Sequence, residues 1–129
     1  MSVAIICVIL AGFLPFVAAG MAKFGPVENN ANEPFDNNLP REWLAKQTGL
    51  RARANAAQAN TFESLPFFYA AVILALMFEA PEERVDVLAV TYLIARIAYI
   101  ICYIQDWPNT RSLVWTLGLV CTVAIFFQI

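Results

Sequence analysis

Arg53, Asn60 and Glu63 sit in the first half of a long, largely apolar stretch, RARANAAQANTFESLPFFYAAVILALMF, at residues 51–78. Positions 53, 56, 60, 63 and 67 are spaced three and four apart, so Arg53, Asn60 and Glu63 share one face of an α-helix. A second set lies further along. Tyr92, Arg96, Tyr99 and Tyr103 are separated by four, three and four residues and share a face of their own. Arg111 follows at the start of the last apolar run. Guanidinium groups take carboxylates through paired hydrogen bonds. A carboxylate such as Glu63 takes an ammonium or an amide N–H, and tyrosines supply walls and hydroxyls. Together these residue types suit a small, polar, anionic ligand.

Composition sets the surroundings of that chemistry. Of 129 residues, 60% are hydrophobic and 14% charged. Soluble domains carry about 25% charged residues. The balance points to an integral membrane protein with small extramembrane parts. The length suits one domain, 1–129. A net charge of −2 offers no basic surface for nucleic acid. The absence of histidine removes the commonest metal ligand and the commonest general base. Cys7, Cys102 and Cys121 lie in apolar segments without CxxC spacing. They read as buried, inert thiols rather than as a disulfide framework or a metal site.

Four apolar runs are long enough to span a bilayer, for which about 20 residues suffice. They lie at about 3–22, 54–78, 81–105 and 111–127. The first could be a cleaved signal peptide, but no basic region precedes it, and a retained span is the better reading. Pro15 is expected to kink the first span and Pro66 to bend the second. The polar segment 23–50 is rich in turn formers, among them Pro26, Pro34, Pro40, Asn29, Asn30, Asn32, Asn37 and Asn38. A short interfacial helix is expected over Pro40 to Thr48, with Gly49 closing it and Trp43 at the membrane surface. A solvated linker is the alternative. Pro81, Glu82 and Glu83 suit a first helical turn. The short link between the second and third spans makes them antiparallel neighbours. Asn109 or Thr110 can cap the fourth.

A charge in the middle of a bilayer costs about 3 kcal/mol or more and faces a partner or a water-filled cavity. Arg96 stands about 13 Å in from Gln105, and Glu63 about 13 Å in from Ala54. The two are therefore expected to meet at one depth. Asn60 then falls near Tyr99, and Arg53 near Tyr103. A bare Glu63–Arg96 ion pair locking two helices would explain those two residues. It leaves Arg53, Asn60, Tyr99, Tyr103 and Arg111 on the same side without a reason. A ligand site entered from that side explains them all. An ion or proton pathway is a third class, disfavoured by the wholly apolar opposite half.

The segment ANAAQANTFESLPFF resembles the second-helix motif of the MAPEG family, membrane-associated proteins in eicosanoid and glutathione metabolism. The match rests on Asn60, on Glu63 three residues later, and on Arg53 upstream. The segment ARIAYIICYIQDWPNTRS resembles the family's third helix and following loop, through Arg96, Tyr99, Tyr103 and Arg111. The resemblance implies an all-α, integral membrane four-helix bundle that assembles as a homotrimer and binds glutathione between subunits. It implies a glutathione transferase, with peroxidase activity as an extension, acting on lipophilic electrophiles that arrive from the membrane lipids. Arg53, Gln58, Asn60, Glu63, Arg96, Tyr99 and Tyr103 would bind glutathione as co-substrate, and Arg111 would stabilise its thiolate. Ala56 departs from the pattern, since many catalytic members carry an arginine there. The alternative is a non-catalytic, lipid-binding or accessory subunit of a larger membrane complex.

Lysine and arginine gather around the first and third loops, at Lys23, Arg41, Lys46, Arg51, Arg53 and Arg111, with Arg84 alone on the other side. The positive-inside rule places those loops in the cytoplasm, with a bacterial inner membrane as the expected location. Both termini are then expected outside the cytoplasm. A cysteine introduced at Asn37 should react with a membrane-impermeant maleimide only after the cells are opened. Labelling of intact cells would reverse the assignment.

Overall fold

The structure, a computed structural model, describes residues 2–27 and 34–129. The turns expected at Asn29, Asn30 and Asn32 fall outside the described residues. Among the described residues five helices follow in order: α1 (Val3–Phe24), α2 (Pro40–Ala45), α3 (Gly49–Met77), α4 (Glu82–Ile104) and α5 (Pro108–Phe126). All but α2 are long and apolar enough to cross a membrane, which gives the four expected spans. The protein is an all-α integral membrane four-helix bundle. α1 packs chiefly on α3 and α5 chiefly on α4, while α3 and α4 join the two pairs.

The buried face of α1 consists of Ala4, Cys7, Ala11, Pro15, Ala18 and Ala22, all small and spaced three or four apart. Such a stripe lets two backbones approach closely, which is how helices gain packing contacts where lipid is as apolar as leucine. α3 in turn buries Ala54, Ala57, Thr61, Leu65 and Phe68. Tyr69 Oη also donates to the Val8 carbonyl at 3.2 Å. On the outer surface Phe13, Phe16, Val17, Ile94, Leu113 and Val120 are exposed, as lipid contact requires. The N-terminus of α1 is tied to α4, because Ala4 N donates to Asp86 Oδ1 at 2.8 Å.

Both tight links are closed by left-handed residues. Glu79 has φ 54° and Asp106 has φ 59°. Beyond them Ala80 N donates to Ala75 O at 2.9 Å and Trp107 N to Cys102 O at 2.8 Å. These are the six-to-one hydrogen bonds of the Schellman motif, which satisfy the last carbonyls of α3 and α4. The links can therefore stay short, and α3, α4 and α5 alternate in direction.

Several boundaries differ from expectation. α3 begins at Gly49, not Ala54, so Arg51 and Arg53 are helical. Gly49 has φ 62° and makes the turn out of the α2 segment, so it opens α3 instead of ending a helix that runs to Thr48. Trp43 is buried. It stacks edge-on against Phe35 at 5.2 Å and lies under the Arg51 guanidinium at 5.5 Å. α5 begins at Pro108 with Trp107 at its cap position, so neither Asn109 nor Thr110 caps it. Proline at a first helical position gives up no hydrogen bond and sets φ in advance.

A Cβ added at Gly12 would stand 2.7 Å from Tyr69 Oη. Gly12→Ala should therefore drive that hydroxyl off the Val8 carbonyl and cost about 1 kcal/mol. Tyr69→Phe should cost a similar amount. The double variant should cost clearly less than the sum when unfolding is followed in detergent. Simple additivity would show that the hydroxyl is not what restricts position 12.

Candidate functional site

The centre of the bundle holds a buried guanidinium. Arg96 on α4 is only 5% exposed. Its Nη2 donates to Asn60 Oδ1 across the α3–α4 contact at 2.5 Å. Its guanidinium carbon lies 3.9 Å from the centre of the Tyr99 ring, a cation–π contact that a desolvated setting strengthens. Its Nε has no hydrogen-bond partner. A buried donor left unmade costs about 1–3 kcal/mol, more when it is charged.

Glu63 does not form the expected ion pair. It is exposed, and Asn60 is the residue in contact with Arg96. The reason is rotation, not depth. Three residues along a helix advance the side chain by about 300°, so Glu63 leans off the α4-facing line that Asn60 occupies. Glu63 reaches the open side instead, where it helps line a cleft between α3 and α5, floored by α4. That cleft measures about 210 Å³ and is bounded by Asn60, Glu63, Ser64, Phe67, Tyr92, Arg96, Trp115 and Leu119, among others. A second cleft of about 400 Å³ continues toward the start of α5, lined by Asn60, Tyr99, Arg111, Ser112, Trp115 and Thr116. Asn60 and Trp115 belong to both clefts, which form one groove. Its size falls within the range of small-molecule sites, about 300–1,000 Å³.

The groove thus joins Asn60, Glu63, Arg96, Tyr99 and Arg111. Tyr103 stands beside it. Its ring lies 4.3 Å beneath the Arg111 guanidinium and 5.7 Å from Tyr99, edge to face. The order along the wall is therefore Arg96 on Tyr99 and Arg111 on Tyr103. Arg53 is placed otherwise. Its Nε and Nη2 both donate to the Ile104 carbonyl at 3.2 Å. It serves the C-terminus of α4 next to Tyr103 and lines neither cleft. Gln58 is also outside the groove, with its Oε1 buried and without a partner.

Beyond Arg111, sequence reasoning missed the α5 wall. Ser112, Trp115, Thr116, Gly118, Leu119 and Thr122 line the groove with it. Their three-and-four spacing was a usable signal, masked by a run with no charge after Arg111. Ser64 and Tyr92 were also missed as a pair. Among the described residues no cluster of three metal-ligating side chains occurs. Cys7, Cys102 and Cys121 are buried and free.

Fold and groove define a class: a four-span membrane protein with a cationic, tyrosine-lined cleft between α3 and α5. The model of the MAPEG family matches residues 3–129, and the chain belongs to that family. It is thereby placed among membrane proteins of eicosanoid and glutathione metabolism. No curated protein and no solved structure matches it.

If Asn60 is the internal partner of Arg96, Asn60→Leu should destabilise the protein by about 2–3 kcal/mol. Glu63→Gln should change stability by less than about 0.5 kcal/mol. Denaturation in mixed micelles would measure both, and the reverse order would restore the ion-pair lock.

Proposed function

We propose that the protein is a membrane-bound glutathione transferase for lipophilic electrophiles, acting as a homotrimer in which neighbouring subunits complete the site. The observation that supports this most is the unpartnered Arg96 Nε of a buried guanidinium bordering the groove. Arg96 already engages Asn60 through one N–H and Tyr99 through its face, and its other N–H groups suit a ligand carboxylate. Glu63, exposed at the rim, suits the γ-glutamyl ammonium. Arg53 and Tyr103 act at the groove's mouth, and Gln58, outside this groove, would reach the ligand of an adjoining subunit. Peroxidase activity would use the same thiolate on a lipid hydroperoxide. A second reading, a non-catalytic lipid-binding or accessory member, is favoured by Ala56. That half-buried position carries no carboxylate clamp.

Arg111 carries the chemistry in this proposal. It lies in the first turn of α5, half-buried, and borders the wider cleft. An unperturbed thiol has a pKa near about 8.5, so little of it is thiolate at neutral pH. A guanidinium at a helix N-terminus favours the anion and lowers such a pKa by about 1–3 units. The ring of Tyr103 holds the guanidinium by its face and leaves its N–H edge for the sulfur.

Arg111→Ala should lower turnover with 1-chloro-2,4-dinitrobenzene by about tenfold or more at pH 7. Glutathione affinity by calorimetry should stay within about twofold. Because the thiol pKa rises when the cation is lost, the midpoint of the rate–pH profile should move to higher pH. Arg111→Lys should recover part of the rate. Wild-type turnover and an unchanged profile in Arg111→Ala would overturn the assignment. Absence of glutathione binding to the parent protein would favour the accessory reading.

A further inference from the structure

Below the cationic layer the groove changes character. Tyr92 lies four residues before Arg96, about 6 Å further along α4. Its hydroxyl is 2.8 Å from Ser64 Oγ on α3. Both residues line the smaller cleft, next to Phe67, Gly118 and Leu119. Thr122, on the same wall, already donates its hydroxyl to the Gly118 carbonyl at 3.1 Å. With Asn60 engaged by Arg96, the Ser64–Tyr92 pair is a neutral polar feature beside the apolar side chains of Phe67 and Leu119. The ring of Tyr92 cannot swing, because it stacks on Phe68 at 3.8 Å with an 8° interplanar angle. The hydroxyl is held at one point.

The hydrogens of the pair can be counted. Ser64 Oγ donates its one hydrogen to the Thr61 carbonyl at 3.1 Å. Tyr92 is then the donor to Ser64. Rotation of the serine hydroxyl from Thr61 to Tyr92 reverses this and frees the tyrosine hydrogen for another acceptor. Ser64 then donates to Tyr92, and Tyr92 to whatever oxygen lies in the pocket. Chained hydrogen bonds of this kind reinforce one another in a low-dielectric site.

Resting on the transferase reading, we propose that Ser64 and Tyr92 form a hydrogen-bond site for an oxygen of the lipophilic electrophile, and that the preferred substrates are α,β-unsaturated carbonyl compounds with an apolar chain. The β-carbon gains a C–S bond from the thiolate held at the cationic layer. The C=C electron pair shifts toward the carbonyl, whose oxygen takes up the negative charge. Tyr92 donates a hydrogen bond to that oxygen. The proton released when the thiol ionised returns from solvent to the α-carbon, so charge and atoms balance. Tyr92 touches the substrate, while Ser64 acts through it as a positioning residue. A donor aimed where charge develops is worth far more in a water-poor site than in water.

Two measurements test this. The first needs no glutathione. The carbonyl band of ¹³C-labelled 2-undecanone, read by isotope-edited infrared difference spectroscopy, should shift to lower wavenumber on binding the parent protein. The shift should vanish in Tyr92→Phe, which keeps the stacked ring, and shrink in Ser64→Ala. The second compares kcat/KM for trans-2-nonenal with that for benzyl chloride, which has no oxygen. The ratio should fall at least about tenfold in Tyr92→Phe and less in Ser64→Ala. An unshifted band in the parent protein, or equal losses with the two electrophiles, overturns the oxygen site. A shift that Tyr92→Phe abolishes, in a parent protein that conjugates neither electrophile, supports the oxygen site and overturns the transferase reading.

Discussion

A guanidinium buried among membrane helices must be solvated by the protein itself, and the arrangement of this bundle follows from how that is done for Arg96. The side chain cannot shed its proton, so burial without partners would be prohibitive. Asn60 supplies an in-plane acceptor and Tyr99 a π face. Neither partner is charged. A neutral amide leaves most of the positive charge uncompensated, whereas a carboxylate in the same place would cancel it. The bundle therefore keeps a cation in its interior, at the border of a groove. A helix lock built for stability alone would have ended in an ion pair, or would have dispensed with both charges.

That arrangement depends on how tightly the other helices pack. α1 meets α3 through alanines, a cysteine and a proline, and adds almost no side-chain bulk at the contact. α3 is thus held firmly on one side and can present Asn60, Ser64 and Phe68 toward α4 in a fixed register. The Ser64–Tyr92 hydrogen bond and the Phe68–Tyr92 stack hold the same register one and two turns deeper. Arg53 holds it at the other end, by bonding the Ile104 carbonyl where α4 runs out of its own donors. Rotation of α3 by one residue would break all of these together.

The spans, their order and the polar faces were legible because a bilayer demands long apolar runs and makes each interruption conspicuous. Small errors came where local signals compete. Arg51 and Arg53 look like a loop's end by charge, yet they extend α3 because each finds a partner: Gly25 O at 3.0 Å for Arg51 and Ile104 O for Arg53. The pairing of Glu63 with Arg96 followed depth along the helices, which was right to within a turn. Azimuth decided the matter, and a three-residue step carried Glu63 to the open side. The α5 wall beyond Arg111 was masked for another reason. Serine, threonine, glycine and tryptophan are common in membrane helices, so their stripe stands out only once α4 is seen beneath it.

Stacking of both groove arginines on tyrosine rings has a consequence for selectivity. A guanidinium binds anions along its edge and aromatic rings with its face. Tyr99 and Tyr103 occupy the faces of Arg96 and Arg111, at 3.9 and 4.3 Å, and so restrain both without using their forks. Carboxylate partners would have held the arginines equally well but would have spent those edges. The order that ligand binding usually has to impose on long, flexible side chains is here already present, which lowers the entropic cost of association. Two restrained cations facing a single exposed carboxylate, Glu63, give the groove a net positive charge. Such a field favours a ligand with more anionic than cationic groups and disfavours a simple zwitterion. The glutathione of the proposed function, a γ-linked tripeptide with two carboxylates, one ammonium and an ionisable thiol, meets that condition.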